Sequence, residues 1–204
     1  MQPKYAVLLD GGFVITKLKK KLKKFPTADD IVAVCNRIGD HDQLSEYDLL
    51  RAYFYHAPPL SEETQNPIDG SILKLGDSQL FRDSQSLLST LELKPNFALR
   101  LGEAVSMGWR VGDQAMRSLT KKPRPIVPKD LVPDIKQKGV DLRIGLDIAR
   151  LSLCHLVDII VVVSGDSDLV PAFKFARREG LKIFLDYLEH GVRRELKVHA
   201  DIII

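Results

Sequence analysis

The chain has 204 residues, 45% of them hydrophobic and 28% charged, with a formal net charge of +3. That length and balance suit one globular domain with a sizeable core. They exclude a membrane-spanning helix, because charges interrupt every apolar run, and a disulfide-stapled scaffold, because only two cysteines are present.

The N-terminus lacks a basic-then-apolar leader, so the chain is expected to be cytoplasmic. Residues 5–9 (YAVLL) read as a wholly apolar strand of the kind buried in a parallel sheet. A basic amphipathic segment follows over 13–25. Thr27 then resembles an N-cap with Asp30 three positions on, ahead of a helical stripe of Ile31, Val34, Cys35 and Ile38. Residues 47–56 (YDLLRAYFYH) predict a second strand, and 58–70 a turn-rich connection. The period over 77–93 is helical, with Leu80, Phe81, Leu87, Leu88 and Leu91 as its apolar set. Residues 97–105 (FALRLGEAV) predict a third strand.

Residues 121–138, with four prolines among several lysines, predict a mobile loop inside a single domain spanning 1–204. A helix over 140–154, the very apolar strand 158–164 (DIIVVVS), a helix over 169–179 and a strand at 181–186 complete the pattern. Alternating strands and helices predict an α/β protein, three layers (α/β/α) around a central, mostly parallel sheet with Rossmann-like topology. Cys35 and Cys154, on apolar helical stripes, are expected to be buried and reduced. The apolar end, Asp201-Ile202-Ile203-Ile204, is expected to pack on the core or an interface, or to continue further in the natural protein.

Two of the apolar strands end in acidic, glycine-bearing turns. The first runs into Asp10-Gly11-Gly12, and the strand at 158–164 runs into Ser164-Gly165-Asp166-Ser167-Asp168. Ligands of open α/β sheets gather at the carboxyl ends of strands. Carboxylates delivered there are hard oxygen ligands suited to Mg²⁺ or Mn²⁺. Such an ion can acidify a water and offset charge on a phosphoryl group. Asp and Gly are also ordinary turn residues, and Asp168 stands where a helix N-cap would.

The helix after Gly139 separates two further candidates. At about 100° per residue, Leu142, Leu146, Ala149 and Leu153 share one face, and Ile144, Ile148 and Leu151 another. Between them, Asp147 lies within one turn of both Arg143 and Arg150, a solvent-face ion-pair pattern. Asp141 stands at the helix start with no such partner, so geometry favours it as the site carboxylate and Asp147 as structural.

Three segments, YAVLLDGGF, KGVDLRIGLDIARL and IIVVVSGDSDLVPAFKFARREG, resemble the hallmark blocks of the NYN domain family within the PIN-like nucleases, and more narrowly its LabA-like branch. The resemblance implies a PIN-like fold and a Mg²⁺ or Mn²⁺ site whose aspartates are Asp10, Asp141, Asp166 and Asp168. It implies a ribonuclease acting on RNA, single-stranded by expectation, or a catalytically weak module that binds RNA or a protein partner. Many relatives carry an asparagine shortly after the first aspartate, where this chain has Phe13 and Val14. No membrane partner is expected, and a homodimer is left open.

Lys17, Lys19, Lys20, Lys21, Lys23 and Lys24 could follow a phosphate backbone or form a solvated helix face. Lys121, Lys122, Arg124 and Lys129 add positive charge on the predicted loop. Tyr53, Phe54, Tyr55 and Trp109 could stack bases, although core packing suits Tyr53 and Tyr55 better. The five histidines lack zinc-ligand spacing. A haloacid-dehalogenase-type phosphatase needs a second aspartate two positions after the first, where Gly12 stands. A Toprim-type domain needs a glutamate on the first strand. No dinucleotide fingerprint or P-loop occurs.

Overall fold

The computed structural model describes residues 2–204. Its frame is a six-stranded, wholly parallel sheet. The first strand, β1 (Lys4–Asp10), leads into α1 (Gly11–Leu22) and α2 (Ala28–Gly39), after which β2 (Asp48–His56) pairs beside β1. A small hairpin, β3 (Glu63–Gln65) and β4 (Ile72–Lys74), precedes α3 (Gln79–Leu91) and the edge strand β5 (Phe97–Leu101). The chain then builds β6 (Glu103–Val111), α4 (Asp113–Lys121) and β7 (Leu131–Lys138) before α5 (Val140–Leu153) returns it to the sheet. The second half of the sheet is β8 (Ile159–Val163), α6 (Val170–Arg178), β9 (Lys182–Asp186), α7 (Arg194–Val198) and β10 (Ile202–Ile203). Across the sheet the order is β10-β9-β8-β1-β2-β5, so successive strands add outward in opposite directions from β1 and β8.

Side chains alternate across a strand, so a wholly apolar strand feeds two cores at once. Tyr5, Val7 and Leu9 of β1 pack with Val14, Ile31 and Leu87 beneath α1, α2 and α3. Ala6 and Leu8 turn the other way, onto Ile144, Ile148 and Phe173 of α5 and α6. This is the three-layer arrangement expected from the pattern. Thr27 and Asp30 form the predicted capping box, with the Asp30 amide donating to Thr27 Oγ1 at 3.3 Å and the Thr27 amide donating to Asp30 Oδ2 at 2.8 Å.

The structure differs from expectation in several places. The strand expected over 97–105 divides at Gly102: β5 joins the main sheet, while β6 turns away and pairs antiparallel with β7. Residues 131–138, expected within a mobile loop, are therefore strand. Pro133 is tolerated because it lies opposite Trp109, where the register of this two-stranded ribbon is irregular. The ribbon is also pinned from outside. Arg124 donates to both oxygens of Asp130 at 2.6 and 2.8 Å, and the Val127 amide adds a third bond at 2.9 Å. Trp109 Nε1 donates to Thr64 Oγ1 at 3.1 Å, so this indole is tied to the β3–β4 hairpin.

Periodicity showed two apolar faces on α5, and only one is buried. Ile144, Ile148 and Leu151 are in the core, whereas Leu142, Leu146 and Leu153 are exposed. Cys35 is buried, and that burial pushes its thiol up to about 12. Cys154, expected to be buried, is exposed because it caps α5 at the surface end of the helix. The last residues pack on the core: β10 extends the sheet beside β9, and Asp201 Oδ2 accepts from the Ile183 amide at 2.8 Å. Among the described residues, no helix is long and apolar enough to cross a membrane.

Candidate metal centre

A parallel sheet opens a crevice where its strand order reverses, and here that is the seam between β1 and β8. Asp10 ends β1, and Asp166 follows β8 after a short turn. One hydroxyl links the two strand ends. Ser164 Oγ donates to Asp10 Oδ2 at 3.0 Å and accepts from the Asp166 amide at 3.1 Å. Asp10 Oδ1 accepts from the Phe13 amide at 3.1 Å, so the same carboxylate caps α1.

The flanking glycines are required by close approach. A Cβ on Gly11 would stand 2.5 Å from the Tyr55 carbonyl oxygen of β2, and one on Gly165 would stand 2.6 Å from the Phe13 ring. A larger residue at Gly11 would push the end of β1 off β2, and one at Gly165 would displace the Phe13 ring.

Asp141 occupies the first turn of α5, above the seam. Burial raises the Asp10 carboxyl above its ordinary range; bonds from Phe13 and Ser164 oppose the rise, and the charges of Asp141 and Asp166 add to it. Asp141 is raised likewise, by partial burial and then by Asp166 and Asp168. Like charges have thus been gathered at one edge of the sheet, and a cation would relieve their repulsion. Asp168, expected where a helix N-cap would stand, does not cap the helix: α6 starts from Leu169 with no side-chain cap. Asp166 caps instead the short 3₁₀ segment Ser167–Leu169 that begins two residues earlier, its Oδ1 accepting from the Asp168 amide at 2.9 Å.

The donor chemistry fits a hard divalent ion, which binds a few carboxylates and keeps several waters. The closure does not: among the described residues, no three Asp, Glu, His or Cys side chains lie close enough to hold one ion between them.

Asp147 is structural, but not in the way its spacing suggested. It faces the sheet and accepts from Tyr55 Oη and Arg100 Nε, each at 2.8 Å, while Arg143 turns back to the Gly139 carbonyl at 2.8 Å. Arg100 in turn lies over the Tyr53 ring at 4.9 Å, so Tyr53 and Tyr55 are packing residues. Asp147→Ala would strand a buried phenol and a half-buried guanidinium. We expect it to cost about 2 kcal/mol in urea unfolding. The acidic centre should survive, because none of its bonds involves Asp147; loss of metal response in this variant would contradict that separation.

Sequence reasoning missed three participants. Ser164 was legible as a hydroxyl beside two acidic strand ends. His56 and Gln137 were not, since the β6–β7 ribbon brings them together: Gln137 Nε2 lies 3.3 Å from His56 Nδ1. Burial pushes the His56 imidazole down to about 4.

No curated protein matches the chain. A crystal structure of a protein of unknown function from Vibrio parahaemolyticus is similar in fold, with a TM-score of 0.52 at 15% identity, covering 100% of this chain and 92% of that one. The likeness supports the three-layer α/β/α architecture across the whole chain. The NYN domain model matches residues 113–204, the segment that carries Asp141, Asp166 and Asp168, so the C-terminal part of the chain is similar to the NYN family.

Proposed function

We propose that the protein is a metal-dependent ribonuclease of the PIN-like type, in the LabA-like branch of the NYN family. It would hydrolyse phosphodiester bonds of single-stranded RNA in the cytoplasm. The observation that carries this reading is the seam itself, where Asp10 and Asp141 are raised by burial and by the neighbouring carboxylate charges, that of Asp166 acting on both. A bound Mg²⁺ or Mn²⁺ would supply an acidified water and offset charge on the phosphoryl oxygens. The ion would draw its protein ligands from Asp10, Asp141 and Asp166, fewer than three at once in this arrangement, with waters completing its shell, Asp168 at the rim and Ser164 fixing the Asp10 carboxylate.

The basic residues of α1 support a nucleic-acid substrate. Lys17, Lys20, Lys21 and Lys23 line a cleft of about 470 Å³ with Arg37, at the carboxyl end of β9 and on the same edge of the sheet as the acids. A negatively charged strand crossing the seam would meet this cluster. Arg37 is already bonded to the buried Asp186, so the lysines are the freer charges.

A second reading, RNA binding with little turnover, is favoured by one observation. Both Asp10 oxygens are engaged, and the carboxylates do not close into a three-ligand shell. One experiment separates the two. Protein stripped of metal and resupplied with Mn²⁺ or Mg²⁺ is incubated with single-stranded RNA beside Asp166→Asn. We expect metal-dependent cleavage that falls at least a hundredfold in the variant, about 2.7 kcal/mol of barrier. Binding without cleavage would support the second reading, and equal cleavage by the variant would sink the first.

A further inference from the structure

A second cleft, of about 340 Å³, opens beside the seam on the β2 side. Its size is that of a small-ligand site, and its walls are mostly apolar. Phe25, Phe81 and Leu80 come from the layer that holds α1 and α3, while Ala104 and Gln137 come from paired positions on the β6–β7 ribbon. His56, at the end of β2, adds a buried polar edge at which Gln137 presents its amide. Gly12 lines the cleft and follows Asp10 directly. The point where a Gly12 side chain would begin lies 3.5 Å from Asp10 Oδ1 and 3.9 Å from Gln137 Oε1. Cleft and acidic centre are therefore divided by one residue that has no side chain.

We infer that this cleft, bounded by Phe25, Phe81, Leu80, Ala104, His56 and Gln137, receives one nucleobase of the strand whose phosphate meets the acidic centre. The inference rests on the ribonuclease reading and gives it a substrate subsite. A nucleobase combines flat apolar faces with a polar edge, and the cleft combines apolar and aromatic walls with one amide and one imidazole. A neutral imidazole offers one donor and one acceptor, as a base edge does, and burial keeps His56 neutral at pH 7. An apolar ligand without a phosphate would make no use of the adjacent carboxylates. A bare phosphate would make no use of the aromatic walls.

The test compares the binding of a fluorescent RNA hexamer with that of a matching abasic ribose–phosphate strand. Binding is measured in the Asp166→Asn background, so that neither strand is cut. Ala104→Trp plugs the cleft from a half-exposed strand position, and Gln137→Ala removes the amide from an exposed one. The base-bearing strand should bind the unplugged protein about tenfold more tightly than the abasic strand, the scale of one stacked base. In Ala104→Trp that ratio should collapse towards one, and Gln137→Ala should lower it. Circular dichroism and melting temperature confirm that each variant is folded; should Ala104→Trp unfold, the Gln137→Ala ratio decides. If the unaltered protein cuts RNA but the ratio starts near one, or survives both substitutions, the nucleobase site is wrong and the ribonuclease reading stands. If it neither binds nor cuts RNA, both fall.

Discussion

Asp10→Asn is expected to abolish metal-dependent RNA cleavage and, at the same time, to raise the melting temperature of the metal-free protein at pH 7. The two effects have one cause. Asp10 is a half-buried carboxylate whose proton affinity is raised by desolvation and by the charges of Asp141 and Asp166. The folded state therefore holds its proton more tightly than the unfolded chain does. Stability declines as pH rises from the ordinary value of 3.8 through the raised folded value, and stays reduced above it. Asparagine removes the charge and keeps an oxygen for the Phe13 amide, and Asn caps a helix as well as Asp. We expect a gain of about 2–4 °C, corresponding to roughly 1 kcal/mol for a chain of this size. Cleavage should fall by about a thousandfold, or ~4 kcal/mol of barrier. Added Mg²⁺ should raise the melting temperature of the unaltered protein and leave the variant almost unmoved. An equal metal response in both would remove Asp10 from the site.

Acid should destabilise the fold through His56. Burial holds its imidazole at about 4, against an ordinary 6.5. Between those values the unfolded chain binds a proton that the folded chain refuses, so stability falls as pH falls through that window. The full shift corresponds to roughly 3 kcal/mol. Asp10 and Asp141 act in the opposite sense, because their raised values make acid stabilising. The His56 effect is therefore read as a difference. Urea unfolding of the unaltered protein and of His56→Gln is compared at pH 7 and pH 4.5, with the unaltered protein losing about 2 kcal/mol more between them. Parallel losses in the two proteins would show that His56 titrates like an exposed histidine.

The main sheet was legible because β1, β2, β8 and β9 are apolar on both faces, and few other structures need such runs. The α2 cap was legible because Thr27 and Asp30 satisfy each other locally. The β6–β7 ribbon was hidden, since β7 (LVPDIKQK) carries a proline and an exposed polar end and shows almost no apolar alternation. On α5, hydropathy could not tell Leu142, Leu146 and Leu153 from the core stripe, because only the sheet decides which face it covers. The convergence at the seam followed from strand ends. The partners of Asp147 did not, since Tyr55 and Arg100 lie far from it in sequence and reach it only through the fold.

The order of strands about the seam also governs how the chain can be divided. Residues 113–204 hold β7 to β10, with Asp141, Asp166 and Asp168, yet β8 takes its inner neighbour, β1, from the other end of the chain. A fragment of that length would present the five buried residues of β8 along a raw sheet edge, open to pairing with other copies of itself. Its Ser164 hydroxyl would have lost the carboxylate it holds. The stretch that carries the family likeness is thus neither an independent folding unit nor a whole site, and truncation to it should yield aggregate rather than a smaller folded domain.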